Sequence, residues 1–325
     1  MSLTQRNRTF FLKNKLLFLV FAIWAISLGF RMNVYDPTIP ILLDGLNYLS
    51  YAIDINVLGG LPENYAFAKP GWSIFLAGLF SIFDFSETNS YMQLQRIASI
   101  FISSIIIFPL YFLCNLFVEK KYSIIGATMF AFAPRLIENS MYGTAEPLFI
   151  LFLTTTILLF LKNSKKCTYI SFLFAGISTL IRPEGFFLFL AMSFLLIFKL
   201  KNEKFKFPKY LSAITIFFIV LLPFALYTED TNPETSVFSR IIGSSAQYFQ
   251  TSDEETHVTS DNRLVTTSKI SAITGIEYFV KYLGASLIPI FIITTPMGFI
   301  LFLKNRSYTK TSIIVITIFI SIPAF

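Results

Sequence analysis

The sequence predicts an all-α integral membrane protein, built as a helical bundle with several membrane spans. Of its 325 residues, 54% are hydrophobic, only 14% are charged and 39 are Phe, which is far from the usual composition of a water-soluble domain. Apolar runs such as 15–30 and 97–118 reach or approach the roughly 20 residues that a helix needs to cross a hydrocarbon core of about 30 Å. Clusters of charge alternate with these runs.

The basic residues follow a membrane topology. If the N-terminus is cytoplasmic, 17 of the 26 Lys and Arg residues fall in the N-terminal segment and in loops near 120, 162–166, 199–209 and 304–310, as the positive-inside rule predicts. Only Glu119 and Glu203 of the 19 acidic residues fall on that side. This distribution of charge, with a net charge of +7, therefore indicates a multi-pass protein of the cell membrane, surrounded by lipid. No RNA- or DNA-binding motif accompanies the charge, so no nucleic-acid partner is expected.

Nine spans are predicted in chain order. The first covers 15–31 and leads to an external loop at 32–92. The others cover 96–118, 122–137, 146–162, 167–181, 185–199, 209–227, 279–303 and 311–325, with a second external loop at 228–276. We interpret 1–325 as a single membrane domain. Because the last span reaches Phe325 without a polar tail, we expect the native chain to continue beyond it.

The first external loop contains two apolar elements. Between 42 and 57 the apolar residues recur at spacings of three and four, which predicts an amphipathic helix lying on the membrane. The 14 residues Gly71–Asp84 are apolar but short for a span. If they crossed fully, every later basic loop would lie outside, so an interfacial or re-entrant element is predicted.

Ionisable side chains near membrane depth are costly, so each is a functional candidate. The predicted topology places eight of them on the external face: Asp44, Lys69, Arg96, Arg135, Glu138, Glu146, Arg182 and Glu184. A site that gathers carboxylates with guanidinium and ammonium groups would suit an anionic headgroup and a nucleophile that needs a base. Asp36 and Asp54 are interpreted as residues at the rim.

Each candidate also has a structural interpretation. Lys and Arg at helix ends commonly extend to the headgroups. Asp44 could cap the interfacial helix, and Glu146 would favour the dipole of the helix that it begins. The segment Arg182–Gly185 could be a tight connection between two helices.

Metal and disulfide chemistry are not expected. Cys114 and Cys167 fall near predicted cytoplasmic helix ends, so they belong to no extracellular disulfide framework. No His or Cys cluster suggests a zinc site, and no cofactor is required. A divalent cation bound by Asp44 and Glu146 is the less favoured alternative.

The order of these residues resembles a known family. Asp44 with Tyr48 four residues later, Lys69-Pro70-Gly71-Trp72, Arg96, Thr144-Ala145-Glu146-Pro147, and a Gly-containing helix ending at Arg182 follow the pattern of the GT-C glycosyltransferases. The similarity is greatest to the protein O-mannosyltransferase and aminoarabinose-transferase group, the glycosyltransferase family 39-like enzymes. It covers about residues 15–200. Gly45 replaces the customary second acid, and Gly71 replaces a second Pro.

The resemblance implies an inverting transfer of a sugar from a dolichyl- or polyprenyl-phosphate donor to an external hydroxyl of a protein, lipid or glycan. Such chemistry needs a base near the acceptor and positive charge near the departing phosphate. The resemblance implies Asp44 and Glu146 as catalytic residues. It leaves open whether Asp44 acts alone as the base or shares this role with Asp36 or Glu146. Lys69 and Arg182, with Arg96 as a weaker third and Tyr48 nearby, would bind the donor.

Three other classes remain as alternatives. A transporter or flippase of lipid-linked sugars would also have many spans and buried charges, but inverted repeats and charges at the midplane are typical of transporters. A polysaccharide polymerase or ligase and a structural membrane subunit are the other two. Transfer of a labelled sugar to an acceptor would separate the enzyme from the transporter.

Overall fold

The computed structural model describes residues 3–39, 41, 43–62, 69–83, 85–201, 203–231, 255–258, 264–267, 297–300, 302–303 and 307–321. The chain divides into two compact units, Met1–Val237 and Phe238–Phe325, and each is described by itself. The single membrane domain predicted over 1–325 stays a prediction.

The first unit is entirely helical within its described residues. Its helices are α1 (Leu3–Val34), α2 (Leu43–Leu58), α3 (Pro70–Phe80), α4 (Thr88–Ile105), α5 (Ile107–Cys114), α6 (Lys120–Ala131), α7 (Pro134–Met141), α8 (Glu146–Leu161), α9 (Lys165–Ile181), α10 (Gly185–Lys199) and α11 (Lys206–Thr231). The helical fold class is confirmed for this unit.

Three helical segments of the described chain are long and apolar enough to cross a membrane. They are Lys15–Val34, Thr88–Cys114 and Lys206–Thr228, with 20, 27 and 23 residues, against a requirement of about 20. Other apolar helices are shorter, and the 16 residues of α8 rise only about 24 Å. The helices support a membrane protein. The count of nine spans and the orientation stay predictions.

One predicted span was wrong in its continuity, and a proline explains why. A continuous helix was predicted over 122–137, but α6 ends before Ala133 and α7 begins at Pro134. Proline cannot donate a backbone hydrogen bond and forces the preceding residue into an extended conformation, here φ −65° and ψ 118°. The span predicted at 96–118 lies mainly within the helical segment Thr88–Cys114, which begins eight residues earlier and has a local break at Ile106, between α4 and α5 and just before Pro109.

Helix α3 takes the place of the apolar element predicted at Gly71–Asp84. Its 11 residues rise about 16 Å, too little to cross a membrane. Pro70 occupies the first helical position, where the missing N–H costs no hydrogen bond. A buried face that includes Trp72, Leu76 and Phe80 packs against α2 and α9. This length suits an element that does not span; Asp84 lies outside the described residues.

Helices α8 to α11 pack around α9. Helix α9 contacts α8, α10 and α11, and aromatic side chains fill the interfaces, including Phe189 and Phe217, whose rings stack with centroids 3.7 Å apart. Short connections between consecutive helices make them antiparallel neighbours. The start of α8, the end of α9 and the start of α10 therefore lie at one end of this group.

A buried arginine joins α1 to α4, α6 and α7. The side chain of Arg31 is fully buried, and its Nη1 donates to the Ser103 and Ser140 hydroxyls, at 3.0 and 2.9 Å, and to the Leu136 carbonyl at 3.2 Å. Its Nη2 donates to the Ala131 carbonyl at 3.1 Å. These acceptors are neutral, so dipoles rather than a carboxylate stabilise the guanidinium charge. The sequence reasoning missed Arg31.

The second unit contains a hairpin and a helix among its described residues. Strand β1 (Glu255–Val258) pairs antiparallel with β2 (Leu264–Thr267), with Glu255 opposite Thr267. Helix α12 covers Tyr308–Ser321, and residues 297–300 and 302–303 are also helical. The hairpin falls within the predicted external loop at 228–276, which was predicted only as a polar segment. Most of that loop and of the span predicted at 279–303 lies outside the described residues.

Candidate active site

Three charged side chains meet where α8 begins and α9 connects to α10. Arg182 donates from Nη1 to Glu146 Oε1 and from Nη2 to Glu184 Oε1, the latter at 2.8 Å. Its Nε donates to the two Glu184 oxygens at 3.2 and 3.3 Å. The three side chains are 25–34% exposed. Within the described residues these contacts use three of the five N–H groups of Arg182, so two remain for another acceptor.

The ion pairs favour the charged forms of Glu184 and Arg182. Burial alone would raise the pKa of Glu184, but the hydrogen bonds and charge of Arg182, with a contribution from Lys69, hold it below its ordinary value. Burial alone would lower the pKa of Arg182, but Glu184 and then Glu146 raise it above its ordinary value. Glu184 and Arg182 are therefore both charged at neutral pH.

Lys69 approaches this cluster because α3 packs tightly against the end of α9. A Cβ on Gly71 would lie 2.8 Å from the backbone nitrogen of Ile181 and 2.9 Å from the carbonyl carbon of Leu180. Only glycine permits such a close approach of two backbones. The residue that replaces the second Pro of the family pattern thus places α3 beside the cluster. Lys69 is half-buried and makes no ion pair with the described residues.

Helix α2 brings Tyr48 and Asp44 to the same region. Tyr48 is buried, and this burial raises the pKa of its phenol to about 12, with the charge of Glu146 acting in the same direction and that of Arg182 against it. The charge of Asp44 also acts on Tyr48. Asp44 lies in the first turn of α2, and its side chain is exposed. The structure thus gathers Asp44, Tyr48, Lys69, Glu146 and Arg182, five of the six predicted residues.

Neutral side chains hold the segments that carry the two catalytic candidates. The Gly143 carbonyl, three residues before Glu146, accepts hydrogen bonds from Trp72 Nε1 at 2.9 Å and from Gln95 Nε2 at 2.6 Å. Gln95 Nε2 also donates to the Gly45 carbonyl at 2.9 Å, next to Asp44. The start of α2 and the turn before α8 are therefore joined through one buried amide.

The surroundings of Gly45 explain why no second acid stands there. The residue is buried, and a Cβ would lie 3.0 Å from the Tyr142 carbonyl oxygen and would overlap the Ile41 side chain. A Glu side chain at this position would have to displace the turn at 142. The first turn of α2 therefore presents a single carboxylate, that of Asp44.

Arg96 makes a different set of contacts from the other predicted residues. It is 2% exposed, and it donates from Nε to the Met141 carbonyl at 2.8 Å, from Nη1 to the Ile39 carbonyl at 2.7 Å and from Nη2 to the Asp36 carbonyl at 2.9 Å. Its guanidinium also lies 4.7 Å from the centroid of the Tyr35 ring. Arg96 thus ties the segment after α1 to the end of α7.

Glu146 has one oxygen that no described residue satisfies. Its Oε1 accepts from Arg182, but Oε2 is buried and has no hydrogen-bond partner in the described part of the chain. A buried, unpaired carboxylate oxygen needs a donor or a cation. Among the described residues, no group of three or more His, Cys, Asp or Glu side chains could hold a metal ion. The metal-free site stays a prediction.

The remaining sequence candidates lie away from these contacts. Arg135 pairs with Glu138 at 3.2 Å within α7, and Glu138 accepts from the Tyr142 hydroxyl at 2.9 Å. Both charged side chains are mainly exposed. The Asp36 carboxylate accepts from the Thr38 hydroxyl and N–H, which lowers its pKa. These three residues have local structural roles in the described chain.

Sequence reasoning gave no role to Trp72 or Gln95, because it assigned roles mainly to ionisable side chains. Both are fully buried; Trp72 is the last residue of the segment Lys69-Pro70-Gly71-Trp72, and Gln95 precedes Arg96. A polar side chain in an apolar helix beside a predicted site residue was the signal that could have found Gln95.

An open groove of about 430 Å³ lies between the ends of α2 and α3 and helix α11. Its lining includes Ile55, Gly60, Ile74, Gly78 and Phe224 and is mainly apolar. Ile55 is 11 residues beyond Asp44 on α2, so the groove lies about 17 Å along that helix from the charged cluster.

One family of known sequences matches part of the chain. The family described as dolichyl-phosphate-mannose-protein mannosyltransferase matches residues 69–227, a segment that contains Lys69, Arg96, Glu146 and Arg182. No curated protein matches the chain. The segment 69–227 therefore resembles a family of membrane glycosyltransferases of the GT-C type, which supports a transferase that uses a polyprenyl-phosphate sugar.

Proposed function

We propose that the chain is an inverting glycosyltransferase that moves a sugar from a dolichyl- or polyprenyl-phosphate donor to an acceptor hydroxyl on the external face of the cell membrane. The observation that carries the proposal is the meeting of Lys69, Glu146 and Arg182 at one end of the helices. These residues are far apart in the sequence, and each lies within the segment that the family match covers.

Lys69 and Arg182 bind the donor phosphate in this proposal. Lys69 is the N-cap of α3, so its ammonium charge adds to the positive end of that helix dipole. Arg182 has two unused N–H groups among its described contacts, which suit two phosphate oxygens. Glu146 and Glu184 hold the Arg182 guanidinium in place. Lys69 makes no ion pair with the described residues, so its positive charge is available to the phosphate.

Asp44 is the proposed general base. In the transfer step the acceptor oxygen attacks the anomeric carbon and the bond to the phosphate oxygen breaks. The Asp44 carboxylate takes the hydroxyl proton, and polyprenyl phosphate leaves. The exposed position of Asp44 lets an acceptor reach it. Tyr48 stays protonated because its pKa is about 12, so it serves as a hydrogen-bonding group beside the base.

Glu146 is a catalytic candidate through its unpaired oxygen. Oε1 is held by Arg182, while the buried Oε2 faces no donor among the described residues. We propose that a hydroxyl of the sugar or acceptor donates to Oε2 in the bound complex. No metal ion is needed in this scheme.

Arg96 is better placed as a positioning residue than as a ligand of the donor. Each of its three nitrogens donates to a backbone carbonyl from 36–39 or 141, so a phosphate would have to replace these contacts. Arg96 instead fixes the turn that leads toward α8 and the segment that leads to α2. The donor's apolar tail is proposed to lie in the groove between α2, α3 and α11.

The test is transfer of labelled sugar from a polyprenyl phosphate in membranes that contain the full chain. Asp44→Asn should abolish transfer while the protein accumulates normally, and Lys69→Gln should raise the donor concentration needed for half-maximal rate at least tenfold. Glu87→Gln removes an exposed carboxylate from the same predicted external loop and should leave transfer unchanged.

Unchanged transfer by Asp44→Asn would remove Asp44 as the base. If labelled sugar crosses the membrane without entering a glycosidic bond, the chain is a transporter rather than a transferase. Equal losses in Glu87→Gln and Asp44→Asn would show that any loss of negative charge in the loop impairs the protein, and the site assignment would fail.

A further inference from the structure

A cavity with several charged side chains in its lining lies at the opposite end of α8 to α10 from the candidate active site. It has a volume of about 150 Å³, room for roughly five water molecules. Its lining includes Ser164, Lys165, Thr168, Lys199, Glu203 and Lys209. The 17 residues of α9 put about 25 Å between this end and Arg182, so the cavity is separate from the proposed donor site.

The cavity carries an excess of positive charge. Glu203 accepts from Lys209 at 2.7 Å and pairs with Lys165 at 3.1 Å. The hydrogen bonds of Lys209 and then Lys165 hold the pKa of Glu203 below its ordinary value, so this acid is ionised at neutral pH. Three lysines and one glutamate line the cavity, which leaves a net charge of +2.

Lys199 is fixed at the cavity without an acidic partner among the described residues. Its ammonium donates to the Phe160 carbonyl, to the Lys162 carbonyl at 3.2 Å and to the Thr168 hydroxyl at 3.0 Å. These contacts place a cation at the negative end of the α8 dipole. They order the lysine but leave its charge to act on the cavity.

The first turn of α9 also faces the cavity. The helical hydrogen bonds begin with the Thr168 N–H, which donates to the Ser164 carbonyl at 3.1 Å. The N–H groups of residues 165–167 precede this bond and have no helical acceptor. Ser164 is the N-cap, and no side chain of the described residues caps the helix. The positive end of a 17-residue helix therefore adds to the charge of the lysines.

We propose that this cavity binds a phosphate group, carried by an anionic lipid or by free phosphate. Lysine is suited to phosphate as a point charge, and backbone N–H groups at a helix start add directed donors. The partly open cavity has room for a group of this size, and its net charge favours an anion. Phosphate would share Lys165 and Lys209 with Glu203 rather than replace it.

The experiment measures ligand-dependent thermal unfolding of the full chain in a neutral detergent. Short-chain phosphatidic acid and inorganic phosphate are titrated separately, with short-chain phosphatidylcholine as the zwitterionic reference. A ligand that binds the folded state raises the midpoint temperature, and the rise grows with the logarithm of the ligand concentration relative to Kd. A rise with phosphatidic acid alone identifies a lipid headgroup, and a rise with both identifies phosphate itself.

Two variants of opposite expected effect make the test specific. Lys165→Gln with Lys209→Gln should weaken binding at least tenfold, since about one charge-assisted hydrogen bond is lost from each lysine. Glu203→Gln should tighten binding several-fold because it frees both lysines. Lys120→Gln with Lys121→Gln is the matched control, since it removes two lysines at the start of α6, outside the cavity.

No binding of either phosphate compound by the unmodified chain overturns the proposal. An equal loss in the two double-lysine variants also overturns it, because surface charge alone would then explain the effect. If the Lys165 and Lys209 variant does not fold, Glu203→Gln decides: unchanged or weaker binding by that variant contradicts the assignment.

Discussion

Replacing Arg182 with Gln should destabilise the protein by about 2–3 kcal/mol, because Glu146 and Glu184 lose their shared cation. Removing one partner of a fully buried ion pair costs about 3–5 kcal/mol, whereas an exposed pair contributes about 0–1 kcal/mol. The two carboxylates are 34% and 25% exposed, which places the expected cost between these limits. Glu146 Oε2 already has no hydrogen-bond partner among the described residues. After the substitution, little would therefore compensate the negative charge of the Glu146 carboxylate.

A double-mutant cycle separates the ion pair from other effects of the substitution. Glu146→Gln alone should cost less than Arg182→Gln, because Arg182 keeps its contacts to Glu184. The double variant should be more stable than the sum of the single costs predicts, by a coupling free energy of about 1–2 kcal/mol. The stability of Arg182→Lys should lie between that of the unmodified chain and that of Arg182→Gln, since a point charge cannot hold two carboxylates with the geometry of a planar fork.

The assay is unfolding in mild detergent micelles, followed as a free energy against denaturant. Arg135→Gln is the matched control, because its ion pair with Glu138 is mainly exposed, at 69% and 49%, and its loss should change stability by less than about 0.5 kcal/mol. The reasoning is refuted if Arg182→Gln is no more destabilising than Arg135→Gln, or if the cycle shows no coupling.

Three further outcomes are expected. Gly45→Glu, which restores the second acid of the family pattern, should lower the unfolding temperature and not increase transfer, because its side chain meets the Tyr142 carbonyl; a more active variant would contradict this. Arg31→Met should cost about 3 kcal/mol or prevent accumulation in membranes, since the Ser103 and Ser140 hydroxyls and the Leu136 carbonyl lose the guanidinium as a donor, while the Ala131 carbonyl keeps the Ser27 hydroxyl; wild-type accumulation and stability would show the network is dispensable. The pKa of Glu184 in the folded state is lowered from its ordinary value of 4.5. Its ion pair therefore stabilises the protein fully above about pH 4.5, and this stabilisation is lost as the pH falls through the folded-state pKa. In this acidic range the unfolding temperature should decline more steeply for the unmodified chain than for Arg182→Gln.

The helical class and the membrane assignment were predictable because apolar length is a strong signal. Helix boundaries were less predictable, and Pro134 shows why: its ring interrupts an apolar run without changing the hydropathy of the run. Hydropathy also counts short runs as spans, although the 15–17 residues of α8 to α10 rise only about 23–26 Å.

The charged members of the site were predictable because each begins or ends an apolar helix. Lys69, Glu146 and Arg182 all occupy such positions, and their order matches a known pattern. Arg96 looked equivalent in the sequence, but its acceptors are backbone carbonyls. Every residue has a carbonyl, so nothing in the sequence indicates which carbonyls an arginine will reach.

Arg31 and Gln95 show a different limit. Arg31 met the rule that an ionisable residue in an apolar helix is notable, but it was not among the candidates. Its partners come from α4, α6 and α7, which no local pattern links to α1. Gln95 is neutral and its importance depends on two carbonyls, at Gly45 and Gly143, separated by almost 100 residues.

These neutral contacts decide how clearly the proposed base can be tested. The start of α2 is held by the Gln95 amide on the Gly45 carbonyl, and the next turn by the Ser73 hydroxyl on the Tyr48 carbonyl at 3.0 Å. Neither contact uses the Asp44 carboxylate, which is exposed. Asp44→Asn should therefore leave the position of α2 unchanged, so a loss of transfer in that variant reports on chemistry. Gln95→Ala should show the opposite pattern, with lower stability and partial activity, because it frees the Gly45 carbonyl and leaves the Gly143 carbonyl to Trp72, while the Asp44 carboxylate stays intact.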